Sequence, residues 1–511
     1  MHLSPLSVPY RVVERGASLV VTAAVLASGA STLFGPGGVP LALAVVGVAV
    51  VALVGYEVAH HRRFEYELTA ETLDIRSGVL SRRNREIPLR RIQTVDISRN
   101  AVQRALGIAA VDFETAGGSE TEASLRFVSF EEAKRLQEAV RRLKRGDADG
   151  SDEQAGELLF ALSNRDLALV GVLSFDFRLP GATLLVLSGG VPVVSSYLPD
   201  VGGTGLLAAG LVGLFVLVVL GSWLAGGVAA VLNYYGFRLT RVGDELQYER
   251  GLLRRYDGSI PLDKVQSLTV VDDPLKRAVG YASLRIETAG YAPGSRREEG
   301  SQAAVPLASR ERVLALARDV EPMDEPAFER PPRRVRRRYA ARYLLALAVL
   351  VGTLYALAAV ASLPVAWYAP AVLVPLAPVA AHLKWRHRGR WLGANHVVTR
   401  NGVLRRRTKV VPYYRIQTVV DSRTLFQRRW NVATVTADTA GSASLGGDDA
   451  AAVDVDAAVA DELRETLVDR LRDALAARRA TTRADDAGET GRTDENGRLH
   501  GEEGGTDGDS G

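Results

Sequence analysis

The feature that most constrains this 511-residue chain is a block that occurs three times. Copy one opens at Gly78 as G-V-L-S-R-R-N-R-E-I-P-L-R-R-I-Q-T-V. Copy two opens at Gly251 as G-L-L-R-R-Y-D-G-S-I-P-L-D-K-V-Q-S-L, and copy three at Gly402 as G-V-L-R-R-R-T-K-V-V-P-Y-Y-R-I-Q-T-V. Pro88, Pro261 and Pro412 stand 10 residues after the opening glycine, and Gln93, Gln266 and Gln417 stand 15 after it. A basic residue recurs at 26 (Arg104, Arg277, Arg428), and each copy closes on an Ala-Gly pair whose glycine falls at 39. Spacing held without a gap through three copies means triplication of one folded unit.

An apolar hairpin precedes every copy. Gly16 to Tyr56 is 41 residues without a charge, and G-P-G-G-V-P (Gly35 to Pro40) supplies a turn in it. About 20 apolar residues of helix cross a hydrocarbon core, so the run reads as two spans and is too long for a secretory signal. Leu179 to Pro199 and Val201 to Gly236 repeat the pattern around Asp200, and Tyr343 to Ala381 repeats it with Pro364 and Pro370 near the middle. The implied order is hairpin one 1–63, soluble domain 64–145, an acidic linker with a lead-in helix 146–178, hairpin two 179–236, and soluble domain 237–322. A Pro/Arg-rich linker 323–342, hairpin three 343–383, soluble domain 384–479 and an unstructured acidic tail 480–511 complete it. Arginines cluster at the outer ends of the hairpins: Arg11, Arg15, Arg62, Arg63, Arg238, Arg241 and six within Arg330 to Arg338. Positive residues near span ends stay cytoplasmic. Six spans in the plasma membrane, with both termini and all soluble domains inside, are therefore expected.

The soluble units read as short alternating strands followed by one helix. Phe64 to Leu68, Val111 to Thr115 and Ser124 to Val128 alternate. Ser129-Phe130-Glu131-Glu132 then forms a capping box ahead of an apolar face of Ala133, Leu136, Val140 and Leu143. Behind a membrane hairpin, the motif G-x-L-x-R-x(5)-[IV]-P-x-x-[RK]-[IV]-Q-[TS]-[VL] resembles the bacterial pleckstrin-homology type 2 (YdbS/YdbT-like) membrane proteins. The resemblance covers residues 1 to about 479. It implies an α+β membrane protein of three tandem units, each a transmembrane helical hairpin followed by a PH-like β-sandwich with a C-terminal helix. It brings no catalytic residue or ligand with it. Copy three departs from the pattern at Gly393-Ala394-Asn395 and in the Gly/Ala/Asp-rich stretch Ser442 to Asp454, so its sheet is expected to be less complete.

The repeated signature residues (Gly78, Pro88, Gln93; Gly251, Pro261, Gln266; Gly402, Pro412, Gln417) suit turn and strand-end roles. The glutamines lining a binding surface is the other reading. Basic groups follow each opening glycine, at Arg82, Arg83, Arg85, at Arg254, Arg255, and at Arg405, Arg406, Arg407, Lys409. A second set follows the prolines, at Arg90, Arg91, at Lys264, and at Arg415. They are either solvated hairpins beside a membrane or contacts to anionic lipid headgroups, for which the planar guanidinium fork is suited. A smaller PH-like membrane protein is the other candidate partner.

No cysteine is present, which excludes disulfides, thiol catalysis and Cys-type zinc sites. No Gly-rich phosphate loop, H-E-x-x-H or G-x-S-x-G motif occurs. The histidines at the span ends lack clustered carboxylates, so no metal and no cofactor are expected. The uncharged runs hold no intramembrane acid of the kind that marks ion pathways. The Arg330–Arg338 run adjoins a span, which accounts for it without nucleic acid. The reading is a non-enzymatic membrane protein that binds lipid or a membrane partner in envelope function, with a scaffold or an export accessory as alternatives.

Overall fold

The computed structural model describes residues 3–12, 14, 15, 22, 38–79, 81–115, 123–145, 156–174, 204–288, 303–361, 367–440 and 449–499. Outside the described residues lie nearly all of the first arm of hairpin one, the first arm of hairpin two and the acidic linker 146–155. The closing glycines Gly117, Gly290 and Gly441 and the tail from 500 onward lie outside them as well. The chain divides into two compact units, residues 1–265 with 275–316, and residues 266–274 with 317–511.

In the first unit, helix α1 (Gly38–Arg62) leads into an antiparallel sheet of β1 (Glu65–Leu68), β2 (Thr72–Ser77) and β3 (Arg83–Pro88). Strands β4 (Ile92–Asn100), β5 (Ile108–Thr115) and β6 (Ala123–Ser129) follow, then helix α2 (Phe130–Arg145). Leu73, Ile75 and Ile87 of the first sheet meet Ile97, Val111, Phe113 and Leu125 of the second, and Ala133, Leu136 and Val140 of α2 close the same core. Each large side chain buried there contributes roughly 1.5–3 kcal/mol. The Ser129 hydroxyl accepts from the Glu132 N–H at 3.2 Å, which is the expected helix start.

The stretch expected to be a lead-in helix divides in two, β7 (Glu157–Ala161) and α3 (Asn164–Leu173). A strand forms first because Leu158 and Phe160 find backbone partners in β8, opposite Thr240 and Leu239. Helix α3 lies against the long apolar helix α4 (Thr204–Tyr234) through Gly171 and Gly227, where a side chain on Gly227 would fall 2.7 Å from the Gly171 carbonyl oxygen. Strands β8 (Arg238–Val242), β9 (Glu245–Arg250) and β10 (Arg254–Pro261) come next. These strands belong to copy two, yet they extend the sheet of copy one. A single seven-stranded sheet runs β6-β5-β4-β10-β9-β8-β7, with β10 antiparallel to β4 from Arg254 opposite Asn100 to Asp257 opposite Ile97. The next strand, β11 (Val265–Asp272), belongs almost wholly to the second unit, while the hairpin β12 (Tyr281–Thr288) and β13 (Ala303–Ser309) returns to the first.

In the second unit the same junction recurs. The chain enters this unit within helix α5 (Arg310–Val320), at residue 317, and continues through α6 (Val335–Ala361) and α7 (Leu376–Arg386) to β14 (Gly389–Leu392), β15 (His396–Asn401) and β16 (Arg406–Pro412). Strand β16 pairs antiparallel with β11 of copy two, from Leu268 opposite Val410 to Asp272 opposite Arg406. Strands β17 (Ile416–Ser422), β18 (Val432–Thr439) and β19 (Ala450–Asp456) form the last sheet, backed by α8 (Ala457–Leu499). Copy three therefore has both of its three-stranded sheets, against the expectation of a less complete one. The small residues Ala450 and Ala452 alternate inward in β19 and pack on Val435 and Leu463. Helix also continues through Leu499, into the stretch expected to be unstructured. Extending a helix already nucleated by packing costs far less than starting one. Among the described residues, three helices are long and apolar enough to cross a membrane, over Ala44–Arg62, Gly213–Tyr234 and Val335–Val360.

The repeated glycines and prolines have local causes. Gly78, Gly251 and Gly402 adopt φ of +115°, +101° and +97°. A Cβ there would fall 1.8, 1.9 and 2.0 Å from the carbonyl oxygen three residues on. Pro88, Pro261 and Pro412, at φ −60°, −64° and −63°, each precede a single 3-10 turn (Leu89–Arg91, Leu262–Lys264, Tyr413–Arg415). Gln266 is buried and Gln417 exposed. Gly251→Ala should thus destabilise the protein by about 1–3 kcal/mol through backbone strain. Gly47→Ala, inside α1 with nothing within 4 Å of the added carbon, should not lower the thermal midpoint in detergent.

Candidate functional site

The last carbonyls of a helix have no donor within it, and the opening loop of copy two supplies them. The Gly251 N–H donates to the Tyr235 oxygen at 2.9 Å and the Leu252 N–H to the Leu232 oxygen at 2.8 Å, which seats the loop on the end of α4. In copy one the Arg63 guanidinium, one residue past α1, donates to the Val79 oxygen at 2.9 Å. The G-x-L-x-R loops of these two copies therefore stand where an apolar helix ends. Leu252 and Leu253 are exposed, the latter by 55%, as is Leu404 in copy three. Arg254 lies 5.2 Å over the Tyr256 ring, and Arg250 lies 4.7 Å over the same ring.

A second element joins them. The basic residue at position 26 sits in a short helix in every copy: Ala101–Ala105, Pro274–Ala278 and Leu425–Arg429. The first and third are capped reciprocally, by Asn100 with Gln103 and by Thr424 with Gln427. Each presents apolar side chains to the outside: Val102 and Leu106, Leu275 and Val279, Phe426 and the 79%-exposed Leu425. In the first unit the Arg104 guanidinium donates to the Leu252 oxygen at 2.5 Å. That bond gathers Val102, Arg104 and Leu106 of copy one with Leu252, Leu253 and Arg254 of copy two beside the end of α4. Sequence reasoning missed the apolar half of this surface. The signal was available, since positions 24 and 28 are apolar in all three copies (Val102, Leu275, Phe426; Leu106, Val279, Trp430).

The basic residues expected to meet headgroups fall into three settings. Arg82, Arg83, Arg85, Arg254 and Arg255 are exposed in or beside the opening loops. Arg405, Arg406 and Arg407 are half-buried, and Arg406 binds Asp272 in a bidentate pair at 2.6–3.1 Å. Lys409, only 5% exposed, lies within the sheet opposite Thr269. Arg90, Arg91, Lys264 and Arg415 occupy the 3-10 turns at the other end of strands β3, β10 and β16, about 20 Å away at roughly 3.3 Å per residue. Exposed Arg90 and Arg91 thus stand apart from the loops that meet the span ends.

Two further charged sites were not anticipated. Glu57, 1% exposed within the candidate span of α1, is neutralised by salt bridges from Arg11 (3.6 Å) and Arg15. Asp454, at a positive φ of 60° in β19, receives Arg338 and Tyr339 from the start of α6, Arg388 from just past α7, and Gln427. This hub ties the helical pair α6–α7 to the sheet of copy three. Burial raises the Asp454 carboxyl, but the hydrogen bonds from Tyr339 and Gln427, aided by Arg388 and Arg338, outweigh it and hold the group below the usual carboxylate value.

The profile of the bacterial PH domain matches residues 19–144, 186–324 and 343–471. The chain belongs to this family, and it is a membrane protein in which the domain is repeated. It is similar to the UPF0699 transmembrane protein YdbT of Bacillus subtilis (strain 168), with 24% identity over 423 residues that cover 78% of this chain and 84% of the relative. No solved structure matches it.

Because the folded-state value of Asp454 is depressed, its stabilisation is complete above the ordinary carboxylate range, near pH ~3.9, and is lost as pH falls through the lower folded value. Asp454→Ala should cost about 3–5 kcal/mol by leaving two partly buried arginines without their partner. Asp454→Asn should flatten the decline of the thermal midpoint between neutral and acid pH.

Proposed function

We propose that this protein is a non-enzymatic plasma-membrane protein of six spans, whose two termini and three PH-like domains face the cytoplasm and meet anionic lipid headgroups in envelope function. The observation that carries this reading is the seating of an apolar and cationic loop on the end of a span helix. The Gly251–Arg255 loop presents two exposed leucines and two exposed arginines where α4 stops, with Arg104, Val102 and Leu106 alongside. Leucine side chains can enter the acyl boundary while guanidinium groups stay among phosphates. Each cation held near an anionic surface contributes about 1 kcal/mol, so Arg104 and Arg254 together supply an attraction of about 2 kcal/mol, Arg255 being paired with Glu249. The hairpin arginines support the inward placement of the domains, and similarity to a transmembrane protein supports the membrane setting.

The absence of native cysteine allows single-site labelling. A solvatochromic dye on Leu253→Cys, in nanodiscs of mixed neutral and anionic lipid, should be blue-shifted and quenched by spin-labelled lipid. The same dye on Arg90→Cys should remain water-like. Arg254→Glu with Arg255→Glu should weaken the quenching in anionic but not in neutral discs. Equal, water-like emission at both sites would sink the proposal.

A further inference from the structure

The two junctions between copies obey one rule, and the rule leaves the chain with two complementary open ends. Counting each residue from the opening glycine of its own copy, Arg254 is at 3 and its partner Asn100 at 22, while Arg406 is at 4 and its partner Asp272 at 21. In both junctions the paired positions sum to 25, so the same two strand types meet in the same register. The helix behind each junction adds a second shared contact. Arg141 stands 12 residues after Ser129 and binds Glu245, six residues before Gly251, at 2.7 Å. Glu321 stands 12 after Ser309 and binds His396, six before Gly402, at 3.0 Å. The residue identities are exchanged and the positions are kept.

Two strands of these types end their sheets. Among the described residues, β3 of copy one pairs with β2 alone and β17 of copy three with β18 alone. Burial records the difference. Strand β11 is buried along its whole length, whereas β17 alternates between half-buried and exposed after Ile416, and Val420 is 45% exposed. Strand β3 is exposed from Arg83 to Glu86 where β16 is buried from Thr408 onward. An uncovered strand edge is a template for another chain. The charged residues of β3 discourage indiscriminate pairing, but they suit this partner. Asp461 occupies on α8 the position that Lys134 holds on α2, five residues into each helix start (Ser129, Asp456). Lys134 reaches Asp257 at position 6 of copy two, at 2.5 Å. Asp461, which pairs with Arg423 within its own chain, would stand beside position 6 of copy one, which is Asn84 with Arg83 and Arg85 on either side.

We infer that β17 of one chain pairs antiparallel with β3 of a second copy of the same chain, in the register of the internal junctions. This places Arg83 opposite Ser422 and Arg85 opposite Val420. The interface is heterologous, head to tail, and so builds rings or extended rows. It requires the first and third domains to face the same side of the membrane, and it stands independently of lipid contact.

The test mixes two full-length chains of different size in one membrane, each with a single cysteine, and oxidises them. Arg83→Cys with Ser422→Cys, and Arg85→Cys with Val420→Cys, should each give a mixed-size covalent dimer. Arg83→Cys with Thr418→Cys, four residues out of register, should not. Arg99→Cys with Arg255→Cys in one chain, which are paired in the internal junction, reports that the oxidation works across such a strand pair. If that internal control closes and neither in-register pair forms a mixed dimer, the inference is overturned. Equal yields for in-register and out-of-register pairs would also overturn it.

Discussion

Backbone pairing between consecutive copies is the constraint on which the rest of this structure depends. A β-strand at a sheet edge leaves a row of amide and carbonyl groups to be satisfied. Here the trailing sheet of copy one takes the leading strands of copy two, and the β11 strand of copy two takes those of copy three. The charged groups of the repeat are then sorted by that pairing. Arg406 becomes a half-buried partner of Asp272 and Lys409 an interior residue, while Arg83 and Arg85, whose strand pairs among the described residues with β2 alone, remain outside. One motif therefore yields three electrostatic surfaces.

The second organising contact is between a soluble loop and the end of an apolar helix. The carbonyls of Leu232 and Tyr235 accept from Leu252 and Gly251, so the loop that follows the positive-φ glycine doubles as a cap for α4. The glycine is needed for the turn, and the turn is needed to bring two N–H groups onto the helix end. What remains of the loop, leucine and arginine, points away from the sheet. In copy three the corresponding anchoring is done by side chains, with Asp454 collecting Arg338, Tyr339 and Arg388.

Much of this was legible in the chain itself. The spacing of Gly251, Pro261 and Gln266 against the other two copies identifies the unit and its family, and the capping serine of α2 marks its helix. The glycine positions required by steric overlap could be read because glycine alone tolerates that backbone. Pairing between copies could not be read. Strands β11 and β17 look alike to any local pattern although one is inner and the other terminal, since register is a long-range property. The interior fate of Lys409 follows from that pairing and was hidden with it. The apolar pair flanking position 26 was visible at spacing four, but it competes with a much stronger run of charge. Helix beyond residue 480 was masked by glycines and acids, because local propensity carries no information on what an already folded segment can propagate.

The shared sheets also alter how the protein comes apart. The first and third domains each enclose a core, yet consecutive copies share hydrogen-bond partners at two junctions. Loss of one would strip a neighbour of half its ladder, so melting propagates between adjacent repeats instead of occurring one at a time. Damage confined to a single copy is thereby felt as lowered cooperativity across the array, and the two terminal copies, each lacking one neighbour, are the places where opening begins.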